Sequence, residues 1–243
     1  MGQRLGQHFL IKGSILERIA AAACPEETDL VLEIGPGRGA LTEKLLKRAN
    51  RVVAIELDAG LAELLRSRFG AAGRLEVVEG DVLATDLAQW GPVPIAGNLP
   101  YYITSPILEK TGKLRFPRSV FLMQKEVAER LVATPGHREY GFLTVQTALF
   151  SKAKILFEVK PAAFRPPPKV DSAVVQLVPR EPVVEDAEGF LRFAAQCFRH
   201  KRKTIRNNLA GTYAVDEWPE AGLRAEQLPL EQFLEMYRRT LTA

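Results

Sequence analysis

The sequence is poor in the residues that staple small folds or hold metals. Among 243 residues there are two cysteines, Cys24 and Cys197, and three histidines, His8, His137 and His200, all far apart. Two cysteines outside any paired motif argue against a disulfide framework and a structural zinc site, and they read as reduced packing residues. Histidines so scattered offer no ligand set, so no metal is expected. A run of about 18 apolar residues is also lacking, and with it any expected membrane span. The opening residues, MGQRLGQHFLIKGS, contain no apolar signal core and no cleavage pattern, so they read as part of the fold of a cytoplasmic protein. Internal repeats and low-complexity tracts are missing, and disorder, collagen and coiled coil are excluded as global descriptions.

What is present is the mixture of an ordinary globular chain, with 47% hydrophobic and 26% charged residues. The length exceeds one average domain and falls short of two, predicting one large domain with a smaller appendage. The net charge is only +4. Its distribution says more: residues 181–243 hold 9 basic and 10 acidic groups, yet five of those nine cations fall between Arg199 and Arg206, with no acid among them. A near-neutral segment thus conceals a basic cluster suited to an anionic partner.

The first two-thirds alternates short apolar runs with helical spacing. Leu30–Ile34, Arg51–Ile55, Leu75–Val78, Val93–Ala96 and Ser119–Met123 read as strands. Ala40–Ala49, Ala59–Phe69, Ser105–Lys113 and Lys125–Val132 read as helices. That alternation predicts an α/β fold with a parallel sheet and helices on both faces. Lys154–Val159 and Ala173–Val178 are also strand-like, but the link between them leaves no room for a crossover helix, so they are expected to pair antiparallel. Pro179–Pro182 reads as a linker. Gly189–Asn208 and Leu230–Leu241 read as helices, giving a domain over residues 1–180 and a small helical one over 181–243.

Four strand ends carry polar chemistry. The first strand runs into Glu33-Ile-Gly-Pro-Gly-Arg-Gly-Ala40, where Gly35 and Gly37 let the backbone approach a ligand closely. Glu56, 21 residues after Gly35, ends the second strand, where a carboxylate suits ribose hydroxyls. Asp81 follows the third, placed to accept from an adenine amino group. After the fourth comes Asn98-Leu-Pro-Tyr101. An adenine amine is a poor nucleophile because its lone pair is delocalised into the ring. Two acceptors, the Asn98 side-chain oxygen and the Leu99 carbonyl, would draw it toward tetrahedral geometry, Pro100 would hold Leu99 extended, and Tyr101 would stack on an extruded base. The glycine turn alone also fits a dinucleotide fingerprint.

Taken in order, Gly6-Gln-His-Phe-Leu10, Glu33-Ile-Gly-Pro-Gly37, Asn98-Leu-Pro-Tyr101, Gln124-Lys-Glu126, Phe164-Arg-Pro-Pro-Pro-Lys-Val-Asp-Ser172 and Arg202-Lys-Thr-Ile-Arg-Asn207 resemble the motifs of the small-subunit rRNA adenine dimethyltransferases, called KsgA in bacteria, over nearly the whole chain. The resemblance implies a Rossmann-like S-adenosylmethionine-dependent methyltransferase sheet, mostly parallel with one antiparallel strand, and a small C-terminal helical domain that binds RNA. It implies dimethylation of two adjacent adenosines in a hairpin loop near the 3′ end of 16S rRNA, on a partly assembled 30S subunit, by a monomer with a part in subunit biogenesis. It places His8 and Leu10 over the cofactor, Gly35 and Gly37 under its methionine part, Glu56 on the ribose, Asp81 on the adenine and Asn98 between cofactor and target amine. Phe164 is expected to sandwich the target base with Tyr101. Position 8, often Asn in the family, is His in this chain.

RNA phosphates are expected on Arg199, Lys201, Arg202, Lys203 and Arg206, read as lying on a helix. They are also expected on Lys169 and on Arg115, which shares a loop with Lys110, Lys113 and Arg118. Three other readings remain at this point: the related class that modifies one adenine of large-subunit rRNA, an assembly factor whose methylation is secondary, and a nicotinamide dehydrogenase that rests on the glycine turn alone.

Overall fold

The computed structural model describes residues 8–242. The chain divides into two compact units, one formed by residues up to Ala128 with Ala153–Pro179, the other by Glu129–Lys152 with Arg180–Ala243. In chain order the elements are β1 (Phe9–Leu10), α1 (Gly13–Ala23), β2 (Thr28–Ile34), α2 (Ala40–Leu45), β3 (Ala49–Glu56), α3 (Ala59–Phe69), β4 (Leu75–Glu79), β5 (Ile95–Asn98) and α4 (Thr104–Lys113). There follow β6 (Ser119–Gln124), α5 (Lys125–Val132), α6 (Phe142–Phe150), β7 (Ser151–Val159), β8 (Phe164–Arg165), β9 (Ser172–Pro179), α7 (Ala187–Cys197), α8 (Ile205–Leu209) and α9 (Leu230–Thr242).

The large sheet has the order β4-β3-β2-β5-β6-β9-β7. Parallel pairing joins β4, β3, β2, β5 and β6, and β9 runs antiparallel to β6. The strands are continuous apolar runs because burial on both faces rewards every side chain, not alternate ones. Val31, Leu32, Val52, Val53, Ile95, Val120, Phe121, Val174 and Val175 are all fully buried. The expected neighbour relation of the strands at 154–159 and 173–178 holds, since β7 lies beside β9.

The order of strands makes the site. From β2 the chain builds outward through β3 and β4, then returns to add β5 on the other side of β2. Between β2 and β5 the winding reverses, and a crevice opens there at the carboxyl ends of the strands. Gly97 sets how closely these two strands approach: a Cβ added to it would sit 2.5 Å from the Ile34 carbonyl oxygen.

Several elements depart from the sequence reading, each for an identifiable reason. The fourth strand is Ile95–Asn98, not Val93–Ala96: Pro92 and Pro94 lack the N–H that a ladder needs, whereas Gly97 and Asn98 pair with Phe121 and Leu122. The helix expected over Ala40–Ala49 stops at Leu45, because Ala49 is already paired with Thr28. The helix expected over Gly189–Asn208 is broken into α7 and α8. Asn208, 6% exposed, donates from Nδ2 to the carbonyls of Cys197, His200 and Lys203 at 2.8, 3.2 and 3.4 Å and accepts from the His200 N–H at 3.0 Å. One buried amide thereby takes over carbonyls that a continuous helix would have bonded internally. α1, α6 and the short β1–β8 pair were not anticipated.

The second unit takes in Glu129–Lys152, which the sequence reading had assigned to residues 1–180. Tyr140, Val145 and Leu149 pack with Phe190, Phe193, Leu209, Phe233 and Tyr237 in one apolar cluster, so this stretch follows its side chains into that core. Cys24 and Cys197 are both buried and free, and burial pushes the Cys197 thiol up to about 12.

The close approach at Gly97 predicts that Gly97→Ala destabilises the protein by roughly 1–3 kcal/mol, because the contact is with backbone, which cannot swing aside. A urea denaturation midpoint equal to that of the wild type would contradict it.

Candidate functional site

At the end of β2 the chain turns through Gly35, Gly37 and Gly39, with φ of 65°, 56° and 80°. These left-handed conformations are strained for any residue with a Cβ. The turn is tied to the neighbouring strand. The Gly35 N–H donates to the Ile55 carbonyl at 3.0 Å, and the Gly37 N–H donates to Glu56 Oε2 at 3.0 Å. The other carboxylate oxygen, Oε1, accepts the Asp58 N–H at 3.0 Å. Glu56 is 4% exposed, so both bonds form where water competes little.

Glu33, on β2, is 1% exposed, and its Oε2 accepts from the Thr42 hydroxyl at 2.6 Å. Burial pushes its carboxyl up to about 8; the Thr42 bond opposes this and the nearby Glu56 adds to it. Near neutral pH Glu33 is therefore largely uncharged. Asp81 is exposed, with Oδ1 accepting the Leu83 N–H at 2.8 Å. Lys110 holds that loop from α4, donating from Nζ to the Leu83 and Thr85 carbonyls at 2.8 and 2.5 Å.

Asn98 closes β5. Its Nδ2 donates to the His8 carbonyl at 3.1 Å, and Oδ1, the acceptor end of the amide, has no partner among the described residues. Leu99 donates its N–H to Leu122 O at 2.9 Å and buries its side chain. Pro100 is extended, and the Tyr101 hydroxyl lies 2.9 Å from Ser172 Oγ. The His8 ring faces the Tyr101 ring at 6.0 Å between centroids and 31° between planes. His8 Nδ1–H donates to the Pro166 carbonyl at 2.8 Å, since a carbonyl only accepts; this fixes the tautomer. His8, Leu10, Gly35, Gly37, Glu56, Asp81, Asn98, Leu99, Pro100 and Tyr101 thus all line one cavity of about 670 Å³, together with Phe9, Arg38, Val82 and Arg165. Gly6 and Gln7, the start of the first motif, lie outside the described residues.

Phe164 is the exception. It is 2% exposed, pairs with Leu10 across β1 and β8, and belongs to the core with Leu16, Ile19 and Val174. The period of two along β8 turns Phe164 inward and Arg165 outward, so the ring facing Tyr101 is that of His8. The sequence motif names the residues of this loop but not their alternation.

The basic cluster is also placed differently from the expectation. Arg199, Lys201, Arg202, Lys203 and Arg206 are all exposed, but the first four lie in the turn held by Asn208, and only Arg206 is on α8, where it pairs with Asp216 at 3.0 Å. Arg115 and Lys169 are exposed. Lys110 is occupied by the Asp81 loop, and Lys113 pairs with Glu109 at 2.7 Å, so the group around Arg115 is not a set of free cations. Among the described residues no cluster of His, Cys, Asp and Glu is suited to a metal. Phe9, Arg38 and Thr42 were not singled out from sequence, and Lys110 was read only as a cation of the Arg115 loop; each acts through a neighbour brought close only by the fold.

Two expectations follow. Phe164→Ala removes a core ring and costs about 3–5 kcal/mol in urea unfolding; a solvent-facing stacking residue would leave stability unchanged. For Glu33 the folded-state value, about 8, lies above the ordinary 4.5. Its stabilising contribution is full below pH ~4.5 and is lost as pH rises to about 8, because over that interval only the unfolded chain releases the proton. The stability of Glu33→Gln, measured in urea between pH 5 and 8.5, should therefore gain on the wild type as pH rises. Parallel curves would refute the neutral carboxyl.

Comparison with known proteins agrees with this geometry. The family model for ribosomal RNA adenine dimethylase matches residues 2–240. The chain is 42% identical to ribosomal RNA small subunit methyltransferase A of Chlorobium luteolum, over 97% of this chain and 88% of that one. It is 40% identical to the protein of the same name from Thermotoga maritima, over 98% and 84%. Among solved structures, a dimethyladenosine transferase from Plasmodium falciparum superposes with a TM-score of 0.84 at 30% identity, covering 97% of this chain and 98% of that one. The 23S rRNA methyltransferase ErmE gives 0.73 at 29% identity, covering 95% and 98%. With the family model matching almost end to end, the chain belongs to the ribosomal RNA adenine dimethylase family.

Proposed function

We propose that this protein transfers methyl groups from S-adenosylmethionine to the N6 amines of two adjacent adenosines in the 3′-terminal hairpin loop of 16S rRNA. The single observation that carries this reading is Asn98. At the point where the sheet reverses its winding, its amide is held by the His8 carbonyl with Oδ1 left as an acceptor, beside the glycine turn and Glu56. The names of the 40%-identical relatives favour the small subunit over the large one. Family membership removes the nicotinamide reading.

The cavity suits the cofactor. Its volume of about 670 Å³ is that of a small-molecule site, and the glycine turn leaves a cradle that side chains would fill: a Cβ on Gly37 would come within 3.0 Å of the Phe9 ring. Each Glu56 oxygen, already accepting one backbone N–H, keeps a lone pair for a ribose hydroxyl, and Asp81 Oδ2 has no partner among the described residues. His8 and Leu10 close over the methionine end, above Gly35 and Gly37. When bound, S-adenosylmethionine supplies a sulfonium-activated methyl group.

The protein's part is orientation and electrostatics. Asn98 Oδ1 and the Leu99 carbonyl accept the two N6 hydrogens and localise the nitrogen lone pair, Pro100 holds the Leu99 carbonyl in place, and Tyr101 with His8 offers aromatic faces to the extruded base. The cofactor would supply the electrophilic carbon, and the proton released from the methylated nitrogen would pass to water, because the Asn98 amide has no basic site to take it. Stacking of about 1–3 kcal/mol per base offsets the cost of leaving the loop. Arg199, Lys201, Arg202 and Lys203, with Arg115 and Lys169, contact RNA phosphates, and Arg206 stays paired with Asp216. The substrate is a partly assembled 30S subunit, and the enzyme acts as a cytoplasmic monomer in small-subunit biogenesis.

The decisive test uses small subunits from a strain lacking the modification, with labelled S-adenosylmethionine and mass spectrometry of RNA fragments. Up to four methyl groups on two adjacent adenosines near the 3′ end are expected; label on large-subunit RNA instead would overturn the substrate. Asn98→Ala should lower methyl transfer by about 10²–10³-fold, as for loss of one preorganised electrostatic contact, with calorimetric cofactor affinity changed far less. Undiminished transfer would remove Asn98 from its role.

A further inference from the structure

Two arginines at the cavity have no place in the chemistry above. Arg38 lies between Gly37 and Gly39, whose left-handed backbone projects it outward, and it is exposed. Its guanidinium carbon lies 4.8 Å from the centroid of the Phe9 ring. Phe9 in turn pairs with Arg165 across the antiparallel β1–β8 ladder, which places the two side chains on one face, about 4.5–5.5 Å apart at Cβ. Arg165 is exposed as well, and both arginines line the cavity. A βα turn and a short strand more than 120 residues later thus each bring an arginine to Phe9, Arg38 over its ring and Arg165 as its cross-strand neighbour.

Neither guanidinium has a carboxylate partner among the described residues, and residues 1–7 contain no acid. Arg68, close by, shows the contrast: it pairs with Glu43 at 2.9 Å and donates to the Arg38 carbonyl at 3.0 Å, tying down the backbone of the turn while the Arg38 head group has no ion pair among the described residues. A face-on contact with Phe9 leaves the N–H edges of a guanidinium free, and those edges match phosphate oxygens.

We propose that Arg38 and Arg165 form a clamp for the backbone phosphates that flank the target adenosine. The proposal rests on the reading of the protein as an RNA methyltransferase and adds to it a second phosphate site, at the mouth of the cavity. Position selects the ligand. Arg165 adjoins Pro166, whose carbonyl holds His8 against Tyr101, so this rim lies on the side of the incoming base and not by Asp81. Phe9 also packs against Gly37, which sets an aromatic ring between the glycine turn and the Arg38 head group and disfavours the carboxylate of the cofactor as its partner.

The experiment measures binding of fluorescently labelled protein to unmethylated small subunits at fixed magnesium over 50–200 mM KCl. Arg38→Gln, Arg165→Gln and the double variant are compared with the wild type, so that any effect of salt on the subunit cancels. Loss of one contact to single-stranded RNA lowers the slope of log K against log [salt] by about 0.7, and loss of both by about 1.4. Arg38→Lys and Arg165→Lys should keep the wild-type slope, and cofactor affinity by calorimetry should stay within twofold throughout. Slopes parallel to the wild type, while the wild type still methylates the subunits, overturn the clamp and leave the methyltransferase reading standing. Parallel slopes with weakened cofactor binding assign the arginines to the cofactor carboxylate instead. A wild type that neither binds nor labels small subunits removes both readings together.

Discussion

The two hydrogen bonds accepted by Glu56 organise the site. Through Oε2 the carboxylate holds the Gly37 N–H, and through Oε1 it holds the Asp58 N–H. One side chain at the end of β3 thereby ties the glycine turn that follows β2 to the start of α3, which Asp58 itself caps through Leu61. Bonds from backbone N–H groups to a carboxylate are stronger than neutral ones, and their burial raises the cost of losing them. The left-handed glycines are costly alone, and this anchor holds the turn in a shape only glycine adopts. The ligand cradle is thus built by the same carboxylate that faces the ribose in the proposed complex.

The legibility of the sequence followed the physical range of each signal. α3 and α5 were read to the residue because their apolar spacing is local. The central strands were read nearly as well, because burial on both faces writes a continuous apolar run. The position of the site was legible because the polar motifs fall at strand ends, but the strand order, and with it the reversal between β2 and β5, was not. Interactions between residues distant in sequence were not legible. Nothing in the run Gly189–Asn208 reveals that Asn208 will fold back onto three carbonyls and break the helix. Nor does the Phe164 motif reveal that Leu10, more than 150 residues earlier, pairs with Phe164 and turns its ring inward.

The same distinction separates two kinds of basic residue. Lys110 and Arg206 look in sequence like candidates for phosphate, yet one is committed to backbone carbonyls and the other to Asp216. Charge counts cannot tell an engaged cation from a free one; partners can. The turn carrying Arg199, Lys201, Arg202 and Lys203 gains its shape from a buried amide that bears no charge itself. Its preorganisation lowers the entropy cost of holding several long side chains near a polyanion.

Charge around the cavity is partitioned in a way that fits a cationic cofactor and an anionic substrate sharing one space. Of the acids that line it, Glu33 is largely neutral near pH 7, because burial penalises its ionised form and the nearby Glu56 carboxylate adds to that penalty. Ionised Glu33 would draw the sulfonium deep, toward β2, and would oppose the approach of phosphate. Neutral, it confines negative charge to Glu56 and Asp81, at the ends of β3 and β4, while Arg38 and Arg165 supply positive charge on the side of His8 and Tyr101. In the proposed complex the field between these sides would orient both ligands before any contact specific to adenine forms, with Asn98 where they meet.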